Sequence, residues 1–450
     1  MRLPFFSAAV MAVALAVTAL PPAALAQQDT ATAAPADTKN NQQDLYRELN
    51  VFGEVLDRIR AEYVDVPDDK ALIRAAINGM LTSLDPHSSY LNPDDYKAMQ
   101  TDTSGQFGGL GIEVTMQDGV IKVVSPIDGT PAAAAGILSN DLIVEIDGEQ
   151  VQGMSLDEAV GKMRGAVGTK IKLTVVRDGV QDPLTFELTR DIIAEQVVHY
   201  SLEGENKDVA FIRLSRFSEQ AYSGIEKAIK DVFKDLDGKA PKGIILDLRN
   251  NPGGLVDQAV AVSDAFLSQG AIVLTRGRSE QESGRYDAKP DDLDKMIKDV
   301  PLVVLINGGS ASAAEIVAGA LQDHKRATLI GSRSFGKGSV QSIISLGRDG
   351  AMRLTTARYY TPSNRSIQAA GIQPDIKVLE EVPPELQGKD KIIGEAALPG
   401  QIGGGTEGTA TTGSSVYVPA DKTKDTQLQY AIRLIEGQET DPSYPPKVDQ

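Results

Sequence analysis

Two serines and one lysine are the residues of this chain best placed to do covalent chemistry. The serines lie in a glycine-rich loop, Gly308-Gly309-Ser310-Ala311-Ser312, with Glu315 three residues further on. The lysine, Lys337, stands between Gly336 and Gly338, four residues before Gln341. The chain has no cysteine and three histidines in 450 residues, so thiol and imidazole partners are scarce. A neutral lysine is an alternative base for a serine nucleophile. A lysine in water titrates near about 10.4. A base working near pH 7 to 8 must have its charged form disfavoured by roughly 4 kcal/mol, which desolvation can supply. Phe335 and the flanking glycines suit a tight, partly buried setting, and Gln341 could orient an amine without adding charge.

The elements that must position these groups follow from the apolar pattern. Residues 302–306 read as a buried strand, 307–311 as a loop and 313–322 as a helix, which puts Ser312 at the strand-to-helix turn. The first N–H groups of a helix lack intrahelical partners and carry positive dipole character, so an oxyanion forming above Ser312 would meet the N–H of Ala313. A second donor could come from Asn250-Asn251-Pro252-Gly253-Gly254, another loop between strand and helix, where Gly253 or Gly254 lets the backbone approach a substrate. Each such donor is worth roughly 100- to 1000-fold in rate.

Readings without chemistry compete with this one. Ser312 with Glu315 is also Ser-x-x-Glu, a capping box that uses the same hydroxyl. Spacing alone does not choose between Ser310 and Ser312, and Lys337 could be a surface lysine in a glycine turn. Gly331-Ser332-Arg333-Ser334-Phe335-Gly336-Lys337 copies the start of a phosphate-binding loop. Gly338 stands where the magnesium-binding Ser or Thr belongs, and residues 340–346 read as strand where a helix is required, which argues against nucleotide binding.

From residue 209 strands and helices alternate: 209–214, 221–236, 243–248, 255–267, 302–306, 313–322 and 328–330. This is the pattern of an α/β core with a largely parallel sheet. The polar stretch 279–298 reads as a solvent-facing insertion. Residues 105–189 show short strands at 111–115, 120–124, 142–146 and 171–177, with turns at Asp118-Gly119, Asp147-Gly148 and Asp178-Gly179. One helix, 155–163, is capped by Ser155 and Glu158. Upstream, Leu45, Leu49, Phe52, Leu56, Ile59 and Tyr63 form an amphipathic helical stripe and a second helix covers 71–84, either a packing pair or a dimerisation arm. Beyond residue 380 the chain is rich in Pro, Gly and Thr, low in complexity over 403–415, and forms a last helix at 427–436.

The net charge is −17, and such an acidic surface argues against nucleic acid as a partner. Arg2, the apolar run 5–20 and Ala24-Leu25-Ala26 read as a secretory signal; Pro21-Pro22 breaks a run already short for a membrane span. The chain is therefore expected to be exported, periplasmic or membrane-associated. The expected division is a signal peptide at 1–26, a flexible linker at 27–43, a helical region at 44–99, a second module at 100–189, the core at 190–380 and a C-terminal region at 381–450.

Several motifs together resemble the carboxy-terminal processing peptidases, the tail-specific proteases of the S41 serine peptidase class. They are Leu84-Asp85-Pro86-His87-Ser88-Ser89-Tyr90-Leu91, Asp247-Leu248-Arg249-Asn250-Asn251-Pro252-Gly253-Gly254, Ser310-Ala311-Ser312-Ala313-Ala314-Glu315, Phe335-Gly336-Lys337-Gly338-Ser339-Val340-Gln341 and Thr355-Thr356-Ala357-Arg358-Tyr359-Tyr360-Thr361-Pro362. The resemblance covers about residues 45–379, with a weaker echo at 427–437. It implies a multidomain α+β and α/β fold: an α/β protease core, an inserted PDZ module and an N-terminal helical arm.

Carried over residue by residue, the resemblance implies Ser312 as nucleophile, Lys337 as general base and Gln341 as the residue that positions it. It implies Ala313 with Gly253 or Gly254 as the oxyanion hole. Asp323 falls where some members have an aspartate that affects activity; it could equally cap a helix end or pair with Lys325 or Arg326. Ala314 stands where the family often has a third serine, which is not the nucleophile. In the PDZ-like module, Gly108, Gly109, Leu110, Gly111 and Ile112 are similar to the loop and strand that take a peptide carboxylate, a use consistent with consecutive N–H groups in a glycine loop. Arg164 resembles an arginine that links ligand occupancy to activity; it could also be a surface charge. The implied partners are proteins with unstructured C-terminal tails, a helical-repeat adaptor and further copies of the chain; no cofactor or metal is implied. The alternative reading, a non-catalytic periplasmic PDZ peptide-binding protein, would need a broken dyad, and both Ser312 and Lys337 are present.

Overall fold

The computed structural model describes residues 38–117, 119–403 and 413–446. The expected signal segment, most of the expected linker, Asp118 and most of the low-complexity stretch lie outside the described residues. Contacts divide the described residues into two units, one ending at Leu72 and the other beginning at Ile73. The first holds the helix Thr38–Glu62. It begins inside the stretch read as linker, because residues 38–44 contain no proline or glycine to stop a helix that the apolar stripe supports. The stripe residues Leu45, Leu49 and Phe52 are exposed. No helix among the described residues is long and apolar enough to cross a membrane.

In the second unit the expected α/β core is a six-stranded sheet. Its strands run in the order Val198–Glu203, Val209–Leu214, Gly243–Asp247, Leu302–Ile306, Thr328–Gly331 and Ile376–Lys377. The first pair is antiparallel and the others are parallel. Alternation along the strands decides the layers. Ile212, Leu246 and Val304 pack with Ile225, Val262 and Ile316 of the helices Ala221–Asp235, Val256–Asp264 and Ala313–Asp323. Phe211, Ile245, Val303 and Leu305 pack instead with Leu428, Ile432 and Ile435 of the helix Thr426–Glu436.

A second, antiparallel sheet is absent from the sequence expectations. It joins Ser89–Leu91, Ala351–Tyr360, Ala271–Gly277 and Gly284–Asp287, with Ser339–Ser345 also paired to Ala351–Tyr360. The stretch 279–298 is therefore not a solvent-facing insertion throughout. It supplies the strand Gly284–Asp287 and a short helix, Asp292–Ile297, that Asp291 caps and that buries Leu293 and Ile297. Two apolar side chains four residues apart suffice to dock a helix, and the surrounding charges hide them in the sequence.

The PDZ-like module has its own core, in which Ile121, Val123, Ile143, Ile171, Leu173 and Val175 are buried. Its helix Leu156–Met163 carries the expected Ser155–Glu158 capping box. At the root of the module Gln106–Gly109 pairs with Asp191–Ala194, so the chain enters and leaves through one two-stranded ribbon.

A buried ion network ties the C-terminal helix to the core. Arg249, 1% exposed, bonds Asp247 through Nε at 2.9 Å and Asp425 through Nη2 at 2.7 Å. Burial alone would favour losing the proton, but Asp247 and Asp425 hold the guanidinium charged, above its usual value. Removing one partner of such a network leaves buried charge uncompensated and costs about 3–5 kcal/mol. Arg249→Met is expected to lower the free energy of unfolding by that amount in a denaturant titration.

Candidate active site

Two loops at the carboxyl ends of neighbouring parallel strands are laced together by their own side chains. Asn250 donates its N–H to Asn307 Oδ1, and Asn307 Nδ2 donates to Asn250 Oδ1, both at 2.9 Å. Ala311 N–H reaches the Asn251 carbonyl oxygen at 2.9 Å. This seats residues 308–312 against residues 250–254.

The two serines differ in what they can do. Ser310 is wholly buried; its Oγ accepts from Asn307 N–H at 3.0 Å and donates to the Leu248 carbonyl oxygen at 2.7 Å. Its proton is committed to the scaffold. Ser312 begins the helix Ala313–Asp323 with φ 54° and ψ −113°, a conformation that L-residues disfavour. The Ser312 side chain makes no cap hydrogen bond, so the capping box suggested by Ser-x-x-Glu is only half formed. Its carboxylate half runs from Ser312 N–H to Glu315 Oε2 at 2.8 Å, and Glu315 N–H also reaches the Ser312 carbonyl oxygen at 2.9 Å.

Glu315 does more than cap. Its side chain is fully buried and accepts four bonds: from Ser312 N–H, from Lys337 N–H at 2.9 Å, from Gly336 N–H at 2.7 Å and from Ser334 Oγ. One oxygen, Oε2, holds the main chain of both Ser312 and Lys337. The serine loop and the lysine loop are thus fixed by one carboxylate, and Phe335 N–H adds a bond to the Ser310 carbonyl oxygen at 3.0 Å. Burial pushes the Glu315 carboxyl up to about 7, against the four donors that favour its charge.

Lys337 is not a surface lysine. Burial pushes its ammonium below the usual lysine value; Arg353 reinforces this, while Glu395, Glu315 and Asp85 oppose it. Ser339–Ser345 follows as a strand, which disposes of the phosphate-loop reading. Gln341 does not bond Lys337. Its Nε2 donates to Ser339 Oγ at 2.9 Å and Thr355 Oγ1 at 3.3 Å.

Ala313 is the first helical residue, so its N–H has no partner four residues back. Gly253 lies so close that an added Cβ would stand 2.8 Å from Ser312 Cβ and 2.9 Å from Ala313 N. Its own N–H donates to Asn251 Oδ1 at 2.9 Å and is engaged. Gly254 is exposed, with φ 144°. Asp323 lies elsewhere: it accepts from Ser363 N–H at 2.8 Å and from Arg365, tying the far end of the helix to a turn.

In the PDZ-like module, Leu110, Ile112, Val114, Val160, Met163 and Arg164 line one apolar groove with Gly109 and Gly111. Gly108 is required by close approach, since a Cβ there would meet the Gly165 carbonyl oxygen at 2.1 Å. The Arg164 guanidinium lies 4.0 Å over the Phe107 ring. Arg190 Nε donates to the Met163 carbonyl oxygen at 3.0 Å, so the end of the groove helix is held by the residue that precedes the ribbon strand Asp191–Ala194.

Comparison with known proteins agrees with this layout. Peptidase family S41 matches residues 208–378, a PDZ domain matches 108–188, and the activating protease CtpB N-terminal domain matches 11–95. A carboxy-terminal-processing protease of Bartonella bacilliformis is 53% identical over 409 residues, 91% of this chain and 93% of the relative. A carboxyl-terminal-processing protease of Synechocystis sp. is 38% identical over 72% of this chain and 75% of its own length. Among solved structures, a photosystem II D1 C-terminal processing protease is 30% identical with a TM-score of 0.42, covering 74% of this chain and 88% of that one.

Proposed function

Since the chain belongs to the carboxy-terminal processing proteases of peptidase family S41, we propose that Ser312 and Lys337 are the nucleophile and general base with which it cuts protein substrates. The observation that carries this reading is the single Glu315 oxygen bound to the main chain of both residues, beside a Ser310 hydroxyl that is already consumed.

Neutral Lys337 takes the Ser312 proton as Oγ adds to the scissile carbonyl carbon. The oxyanion meets Ala313 N–H, and Gly254 supplies the second donor while Gly253 N–H stays on Asn251. Collapse breaks the C–N bond, Lys337 returns the proton to the leaving amine, and an ester to Ser312 remains. Lys337 then deprotonates a water that adds to the ester, and Ser312 leaves and recovers its proton. Gln341 bonds the Ser339 and Thr355 hydroxyls rather than the Lys337 amine, so no direct positioning role is assigned to it.

The apolar groove beside Gly108–Gly111 takes the substrate's C-terminus by strand addition, and Arg164 reports its occupancy through Phe107. The segment 1–26 directs export, placing the enzyme in the periplasm or at the membrane. The exposed stripe of Thr38–Glu62 serves self-assembly, and a helical-repeat adaptor would deliver substrates. The test uses a folded reporter with an unstructured C-terminal extension. Cleavage is expected, with a changed turnover in Arg164→Ala. Binding without cleavage would favour the non-catalytic reading, and unchanged turnover would leave Arg164 a surface charge.

A further inference from the structure

The segment Leu84-Asp85-Pro86-His87-Ser88-Ser89-Tyr90-Leu91 lies far from the dyad in sequence and so far has no chemical role. In the structure it forms a turn bonded to Thr355 of the strand Ala351–Tyr360. Asp85 Oδ1 accepts from His87 N–H at 2.8 Å, Ser88 N–H at 2.9 Å and Thr355 Oγ1 at 3.0 Å. The turn aims the His87 ring inward, where Nε2 lies 2.9 and 2.8 Å from the two carboxylate oxygens of Glu395.

Glu395 is wholly buried and tied to the lysine loop directly on one side of Lys337 and through Gln368 on the other. Its N–H reaches the Phe335 carbonyl oxygen at 3.1 Å. Gln368 Nε2 donates to Glu395 Oε1 at 2.8 Å, and Gln368 Oε1 accepts from Gly338 N–H at 3.0 Å. A buried carboxylate that bears electrostatically on a partly buried amine favours the amine's charged form, and an ion pair would hold it protonated. Here the carboxylate is taken by the imidazole instead.

Resting on the assignment of Lys337 as base, we infer that His87 is a positioning residue for that base: it occupies Glu395 and so keeps this carboxylate from capturing Lys337 as an ammonium. The other charged groups bearing on Lys337 are Arg353, Glu315 and Asp85. Asp85 is engaged by the turn and Glu315 by the two loops, whereas losing His87 would leave Glu395 with Gln368 on Oε1 and nothing on Oε2.

The experiment measures the rate at which a serine-reactive fluorophosphonate labels the full chain, across pH. His87→Ala is expected to slow labelling at neutral pH by at least about 10-fold and to move the rising limb to higher pH, where labelling recovers. His87→Gln, which restores an N–H toward Glu395, is expected to return the limb most of the way. A purely structural role would slow labelling without moving the limb and would overturn the inference, as would an unchanged rate. Glu395→Gln provides the second reading: the limb should move to lower pH, and adding His87→Ala should move it no further. A further shift there would also overturn it. Wild-type chain left unlabelled would sink the base assignment itself, a result distinct from labelled wild type with an indifferent His87.

Discussion

Ser312→Ala and Lys337→Ala are each expected to reduce cleavage of a tailed substrate by at least about 10,000-fold, because removing either half of a nucleophile–base pair removes nearly all that the pair contributes. The thermal midpoint should stay near wild type, since the Ser312 main-chain bonds to Glu315 survive truncation and Lys337 loses a group that burial disfavours when charged. Initial rates with the reporter and a thermal melt on the same samples provide the check. Retained cleavage in Ser312→Ala would move the nucleophile or end the assignment. Because the Lys337 ammonium is pushed below its usual value, the neutral base appears at lower pH than for a free lysine, and kcat should rise through that depressed value.

Glu315→Ala should be the next most damaging change. It leaves the main-chain N–H groups of Ser312, Gly336 and Lys337 and the Ser334 hydroxyl without their shared acceptor. A displacement of the dyad on the order of 1 Å is worth about 100-fold in rate, and the orphaned donors should cost a few kcal/mol of stability besides. The sign of the pH dependence follows from the raised carboxyl. The folded chain holds this proton more tightly than the unfolded chain, so the contribution is full below the ordinary glutamate range and fades as pH rises through about 7. Stability measured between about pH 5 and pH 8 should therefore fall less steeply in Glu315→Ala than in wild type. Wild-type turnover in that variant would show that the two loops hold their register without the carboxylate.

Much of this site can be read from spacing, because each piece is local. Strand, glycine loop and helix around Ser312, and glycines on both sides of Lys337, are short-range signals. Partners chosen across the fold are not readable in this way. Ser312 and Glu315 read as a capping box, which holds for its carboxylate half but is silent about the Gly336 and Lys337 main chain that the same carboxylate holds. Gln341 reads as a partner of Lys337 and turns instead to Ser339 and Thr355, because its strand pairs with Ala351–Tyr360 and brings the Thr355 hydroxyl beside it. Gly253 and Gly254 are equivalent in sequence; the fold separates them, burying Gly253 beside Ser312 and Ala313 with its N–H on Asn251 and leaving Gly254 exposed. The antiparallel sheet escapes a local reading because its strands are gathered from residues 89–91, 271–277, 284–287 and 339–360, with no hairpin signal linking the first to the rest.

The backbone at Ser312 has a cost that the chemistry conceals. At φ 54° and ψ −113° a side chain is a burden, and glycine would occupy the same turn with less strain. Selection for durability alone would therefore discard the hydroxyl. If Ser312 is the nucleophile, the reactive group sits at a locally strained point that the rest of the fold must stabilise, and Ser312→Gly should raise the thermal midpoint while abolishing cleavage.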